Sequence, residues 1–240
     1  MEQKKIALVF GGSRGIGSAC VQALAADGFD VAYTCTGTPP PACESNGRTL
    51  RAYRADIREP AQVGQVFADL ERDFGARAAC VVANAGINVP PAPIAQFDPA
   101  SFRELVEVNI IGAFNILSQA ARSVADGGSI IALSTSMVRV ALPNVGPYTA
   151  TKAAVESLVR ALSRELAGRG VRVNAVAPGP VDTDLFRAGK DEAALQRSAA
   201  LSPFNRVGQP AEIANVVAFL ASDKASWVHG QVWQPNGGQV

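Results

Sequence analysis

Two side chains able to move a proton stand four residues apart in Pro147-Tyr148-Thr149-Ala150-Thr151-Lys152. If that stretch is helical, the phenol and the ammonium share one face, a turn apart. A free tyrosine titrates near pH 10, too high to exchange a proton readily at neutrality. A neighbouring ammonium favours the phenolate and lowers that value, each unit corresponding to about 1.4 kcal/mol. Such a tyrosine can protonate a carbonyl oxygen as hydride arrives from a nicotinamide. The same spacing also arises by chance, as a half-buried tyrosine beside a solvated lysine, so the pair gains meaning only from its company. Just upstream an apolar run ends in three hydroxyls, Ser134-Thr135-Ser136. One of them can hydrogen-bond a substrate oxygen and stabilise charge developing there; a strand end solvated by small polar residues is the ordinary alternative.

A third constellation, Gly11-Gly12-Ser13-Arg14-Gly15-Ile16-Gly17, follows the first apolar run directly. Glycines between a strand and a helix let the backbone approach a pyrophosphate, which then sits at the helix N-terminus. The spacing is GxxxGxG rather than GxGxxG, and a glycine loop alone is equally a tight turn needing positive φ. After the second apolar run the chain reads Tyr33-Thr34-Cys35-Thr36, without the acid that NAD sites place there for the ribose hydroxyls. Arg14 is placed to meet a 2′-phosphate, with Thr34 or Thr36 as neutral donors, so NADP(H) is favoured over NAD(H). A solvated surface arginine is the bland reading of Arg14.

These residues need elements to position them. Short apolar runs rich in β-branched residues cover residues 6–10, 30–34, 49–54, 79–83, 129–134, 172–177 and about 231–234, and read as strands. Segments of helical period cover residues 16–26, 60–74, 99–124, 147–167, 192–200 and 211–221. Strands apolar throughout and separated by helices predict a parallel sheet covered on both faces, the doubly wound α/β arrangement. One connection breaks the pattern: GTPPPACESNG stands where a crossover helix is expected, and three consecutive prolines cannot lie inside one. A shortened helix or a loop is predicted there. With no internal repeat, linker or composition shift, residues 1–240 read as one domain.

Composition narrows the function classes. Of the 240 residues 48% are hydrophobic and 18% charged, which suits a large core and not a disordered chain. A net charge of +1, with no basic stripe, recruits neither nucleic acid nor an anionic membrane. No run approaches the ~20 apolar residues of a membrane helix. Cys20, Cys35, Cys43 and Cys80 lack the paired spacing of a zinc site and read as reduced thiols; no metal site and a cytoplasmic location are expected. The apolar part of MEQKKIALVF is too short for a signal peptide. The single histidine, His229, reads as structural.

Taken in order, these motifs resemble the single-domain short-chain dehydrogenases/reductases over essentially the whole chain, and look most similar to the 3-oxoacyl-[acyl-carrier-protein] reductase-like members. The resemblance implies a Rossmann-type, seven-stranded parallel sheet with helices on both faces. It makes Gly11, Ser13, Arg14, Gly15, Ile16 and Gly17 the cofactor loop, and Asp56-Ile57 the pair that contacts adenine. Asn84-Ala85-Gly86 matches a motif that supports the sheet and touches the cofactor. Asn109, in EVNIIGAFN, matches the asparagine that holds a proton-relay water, and Tyr148 and Lys152 match the active-site pair. Pro178-Gly179, with Val181 and Thr183, resembles the loop that clasps the nicotinamide carboxamide. There are departures. Phe10 stands where the family usually has Thr, so a side-chain bond near the turn is expected to be missing. The family's catalytic serine lies most often thirteen residues before the tyrosine, which is Thr135 here; a one-residue shift gives Ser136, slightly preferred as a serine.

The resemblance implies an NADPH-dependent reduction of a ketone or 3-oxoacyl thioester, with Tyr148 as general acid. An NAD(P)-dependent alcohol or sugar dehydrogenase working oxidatively is the runner-up, and a non-catalytic dinucleotide sensor stands further off. A substrate lid is expected over about residues 182–203, with Met137, Val138 and Arg139 lining the pocket and Arg139 or Arg187 available to a carboxylate. Homotetramers, or homodimers, paired through the two long helices are expected by analogy.

Overall fold

The computed structural model describes residues 5–140 and 142–240; residues 1–4 at the start of the chain lie outside that description. Strand β1 (Ile6–Phe10) feeds helix α1 (Gly15–Ala26), followed by β2 (Asp30–Cys35), β3 (Cys43–Ser45), β4 (Arg48–Arg54), α2 (Pro60–Phe74) and β5 (Cys80–Ala83). Helix α3 (Pro99–Val106) runs through a π-helical turn at Glu107–Gly112 into α4 (Ala113–Ser123). Then come β6 (Ser129–Leu133), α5 (Met137–Val140), α6 (Gly146–Leu166), β7 (Arg172–Val176), α7 (Asp184–Arg187), α8 (Glu192–Ala199), α9 (Pro210–Ala221) and β8 (Val232–Trp233).

The sheet order is β3-β4-β2-β1-β5-β6-β7-β8. Every pairing is parallel except β3 with β4. Successive residues of β1 serve opposite layers, as a pleated strand requires. Ile6, Leu8 and Phe10 pack into a core shared with α2, α4 and α6. Ala7 and Val9 join the second core, under α1 and α9. Because both faces are covered, β1 is buried along its whole length, which accounts for its unbroken apolar run.

The expected seven strands become eight. GTPPPACESNG forms a loop and a short antiparallel strand in place of a crossover helix: Ser45 pairs with Arg48 around Asn46-Gly47. Both turn residues have positive φ, 51° and 69°, as a two-residue hairpin turn of this hand demands. The segment expected as one helix over residues 99–124 is interrupted by the wide π turn that carries Asn109. Two short helices, α5 and α7, had no counterpart in the sequence reading. Strand succession reverses direction at β1, with β2 on one side and β5 on the other. Ligands in such sheets occupy the crevice beyond the strand ends at that switch point.

Candidate active site

The glycine turn leaves β1 at Gly11, whose φ is 75°. Its N–H donates to Thr34 Oγ1 at 2.9 Å, and the Gly12 N–H donates to the Thr34 carbonyl at 3.0 Å. Thr34 thus supplies the side-chain bond expected to be missing because Phe10 replaces Thr. It lines the cleft as predicted, but its oxygen is taken up by the turn beneath. Asn84 Nδ2 holds the other side of the bend through the Gly11 carbonyl at 2.9 Å. A Cβ on Gly17 would lie 2.0 Å from the Gly11 carbonyl oxygen, so only glycine permits this closure. Arg14 precedes α1 in an extended conformation. It is exposed at the cleft mouth, with Ser13 beside it, and its guanidinium has no partner among the described residues.

From this turn a cleft of about 900 Å³ runs past Asp56 and Ile57 to Asn84-Ala85-Gly86. Arg58 grips the Asp56 carboxylate, with Nε 3.0 Å from each oxygen, and holds that carboxyl below the usual carboxylate range. Asn115, which carried no sequence signal, donates to the Ile57 carbonyl at 2.9 Å and fixes this wall.

Gly86 is where the two halves of the site meet. A Cβ there would lie 3.0 Å from Asn109 Oδ1 and 3.3 Å from Lys152 Nζ. Asn109 is buried; it accepts from the Ile87 N–H at 2.9 Å and donates to the Ile87 carbonyl at 2.9 Å and to Thr151 Oγ1 at 3.2 Å. The π turn therefore aims this amide at the strand end and at α6 together, in keeping with the placing of such turns at functional sites.

Lys152 is buried and donates from Nζ to the Leu133 carbonyl at 3.1 Å. Burial pushes its ammonium down to about 8. The Tyr148 hydroxyl, one turn earlier on the same face, has no hydrogen-bond partner among the described residues. Burial pushes that phenol up to about 12, where the spacing had predicted a lowering. The reason is physical: both charged forms lose water, and no compensating attraction between the two groups is resolved in this arrangement.

The three hydroxyls of residues 134–136 part company. Ser134 Oγ donates to Glu156 Oε1 at 2.7 Å. That buried carboxylate is also forked by Arg139, at 3.0 and 3.1 Å. Ser136, with no exposed surface, donates from Oγ to Gln239 Oε1 at 2.9 Å. Thr135 Oγ1 accepts from the Met137 N–H at 3.3 Å, and its own proton has no acceptor among the described residues.

Beyond β7, Pro178-Gly179 and Val181 lead to Thr183, whose hydroxyl accepts from the Phe186 N–H at 3.1 Å to cap α7. A Cβ on Gly15 would approach Thr183 Cγ2 to 3.3 Å, so this loop returns to the glycine turn and closes the ring of predicted residues. The expected lid contains α7 and α8. Arg187 forms an ion pair with Asp182, Nη2 to Oδ2 at 2.9 Å, and Arg139 is held by Glu156; neither guanidinium is free for a substrate carboxylate. His229 lies in the wall of the sheet: its Nδ1 accepts from the Val173 N–H at 3.1 Å and its Nε2 meets the Ser163 carbonyl at 2.7 Å. The sequence reading missed Glu156, Asn115 and Gln239. Of these only Glu156 left a signal, a carboxylate four residues after Lys152 on the same helical face.

Residues 11–239 match the family model described as enoyl-(acyl carrier protein) reductase. A short-chain type dehydrogenase/reductase of Picea abies is 41% identical, covering 98% of this chain and 92% of the relative. An NADPH-dependent aldehyde reductase-like chloroplastic protein of Arabidopsis thaliana is 38% identical, covering 98% and 94%. A 3-oxoacyl-[acyl-carrier-protein] reductase of Mycobacterium tuberculosis is 36% identical, covering 96% and 91%. Among solved structures, a blue fluorescent protein from a metagenomic library in complex with NADPH superposes with a TM-score of 0.88, at 33% identity and 98% of each chain. With residues 11–239 matched by the family model and relatives 36–41% identical over more than nine-tenths of their length, the chain belongs to the short-chain dehydrogenase/reductase family.

Proposed function

We propose that this protein is an NADPH-dependent carbonyl reductase that converts a ketone or 3-oxoacyl thioester to an alcohol, in one domain spanning residues 1–240. The cofactor fits the residues present. The turn admits no Cβ at Gly17, the first N–H groups of α1 lack intrahelical partners, and a partnerless Arg14 stands at the mouth of a roomy cleft. Gly11, Ser13, Gly15, Ile16 and Gly17 would hold the pyrophosphate. Arg14 would hold the 2′-phosphate, with Thr34 under the turn. Asp56 and Ile57 would hold the adenine; Asn84, Ala85 and Gly86 the middle; and Pro178, Gly179, Val181 and Thr183, with Tyr148 and Lys152, the nicotinamide end. The bound cofactor supplies hydride.

The chain's own residues do the rest. Tyr148 donates its phenolic proton to the carbonyl oxygen as negative charge develops there. Without cofactor its phenol is raised to about 12, so it carries its proton at neutrality, and the attraction of the Lys152 ammonium for the phenolate is what would ease the transfer. Thr135 is the hydroxyl that steadies the substrate oxygen: it stands thirteen residues before Tyr148, and Ser134 and Ser136 already donate elsewhere. Lys152, at about 8, is largely protonated at pH 7 and, with Asn109, returns a proton to Tyr148. One observation carries the reading: a half-buried phenol without a hydrogen-bond partner among the described residues, one turn from a buried ammonium at the strand ends. It is tested by following NADPH oxidation with ketones, β-keto thioesters and sugars. Tyr148→Phe should lower kcat by about 10²–10⁴, and full activity in that variant would refute it. Family analogy supports a homotetramer or homodimer. Among the described residues no helix is long and apolar enough to cross a membrane.

A further inference from the structure

The segment after β8 folds back across the site in a tight turn. Asn236 Oδ1 accepts from the N–H groups of Gly238 and Gln239, at 3.0 and 3.1 Å. Gly237 and Gly238 both take positive φ, and Ser202 Oγ donates to the Gly237 carbonyl at 2.6 Å. On the other side the Gly179 N–H donates to the Pro235 carbonyl at 3.2 Å. A Cβ on Gly179 would come within 2.9 Å of Asn236 Cα, so the turn lies hard against the Pro178-Gly179 loop. The outcome of this folding is that the Gln239 amide reaches Ser136, at the end of β6, and accepts its hydroxyl proton. Half of the amide is thereby used. Its Nε2 is buried without a hydrogen-bond partner, and so is Asn236 Nδ2 three residues before it.

Buried donors left unpaired are few in folded proteins, and each asks for a reason. Here two amide groups fall in one turn, beside the loop that would face the nicotinamide end of the cleft. An acceptor arriving with a ligand satisfies them; a charged anion is not required, because a neutral amide donor is matched by a neutral carbonyl oxygen. We propose that Gln239 is a ligand-binding residue, whose Nε2 donates to a carbonyl oxygen of the molecule held between Ser136 and Pro178-Gly179, while Ser136 fixes the amide in place. This rests on the carbonyl-reductase reading of the same site. The oxygen comes from one of two sources of the same chemistry, a carboxamide on the cofactor or an acyl group on the substrate.

Two variants and two probes test it. Gln239→Glu keeps an oxygen for Ser136 and removes the donor; Gln239→Leu removes both. NADPH binding is followed by fluorescence titration, KM and kcat with acetoacetyl-coenzyme A, and folding by a cooperative melt. At pH 8, Gln239→Glu should weaken binding about tenfold, the worth of one lost hydrogen bond plus a misplaced charge. Lowering the pH toward 5.5 should restore it, because a protonated carboxyl donates again; the wild-type protein should show no such recovery, and Gln239→Leu should stay weak throughout. A raised Kd for NADPH assigns the oxygen to the cofactor, and a raised KM with unchanged Kd assigns it to the substrate; both support the proposal. Folded variants with wild-type Kd and KM at every pH overturn it. Wild-type protein that fails to bind NADPH overturns the underlying reading and this proposal with it, whereas wild-type binding with silent variants overturns the proposal alone.

Discussion

The Arg139–Glu156 pair lets burial decide which partner matters more. Glu156 is 3% exposed and Arg139 34% exposed, joined by a fork at 3.0 and 3.1 Å. Arg139→Met keeps the stem but leaves a buried carboxylate with only the Ser134 hydroxyl, at 2.7 Å, to replace the guanidinium. Breaking a buried pair costs about 3–5 kcal/mol. The one-third exposure of Arg139 screens part of the attraction, so the low end, about 3 kcal/mol, is expected. Glu156→Gln still accepts from Ser134 and frees an arginine that can turn to water, for about 1 kcal/mol. In a chain of this length each kcal/mol shifts Tm by about 2–4 °C. Arg139→Met should therefore melt about 6–12 °C lower and Glu156→Gln about 2–4 °C lower. Calorimetry with a urea titration measures both. Equal losses, or a larger loss for Glu156→Gln, would refute the argument from unequal burial.

Gly86→Ala places a methyl 3.0 Å from an Asn109 oxygen fixed by the Ile87 backbone and 3.3 Å from Lys152 Nζ. Lys152 must give way, at about 1–3 kcal/mol of stability with a drop in kcat; steady-state kinetics showing unchanged kcat would count against it. Thr34→Val strands the Gly11 N–H at a site 2% exposed, for about 1–3 kcal/mol and a weaker NADPH titration. Lys152 is lowered from 10.5 to about 8, so between those values the unfolded chain holds a proton that the native state lacks, and stability rises with pH by up to about 3 kcal/mol. Tyr148, raised from 10.0 to about 12, works the other way, with stability falling as pH climbs through that interval. Urea midpoints against pH should lose the first slope in Lys152→Met and the second in Tyr148→Phe.

Much of the scaffold could be read from periodicity, because strands covered on both faces must be apolar throughout. The hairpin could have been read too: Asn46-Gly47 is a strong two-residue turn signal, masked by a strand of three residues, Cys43–Ser45, with no apolar alternation. The π turn at Asn109 has no local marker: the partners of its amide, Ile87 and Thr151, lie 22 and 42 residues away. The fate of the three hydroxyls turned on partners 22 and 103 residues away, a separation that spacing rules do not reach. The direction of the tyrosine shift was misjudged for a related reason: the sequence shows which charge is near but not how little water remains.

The hairpin also bears on solubility. Strand β3 borders the sheet, so its outer backbone groups are the ones a foreign strand would meet. It offers only three residues, one of them the exposed Glu44, before the chain turns away. Short, charged borders of this kind make poor templates for edge-to-edge growth of aggregates. Extending β3, or exchanging Glu44 for a β-branched apolar residue, would turn that border into an adhesive one.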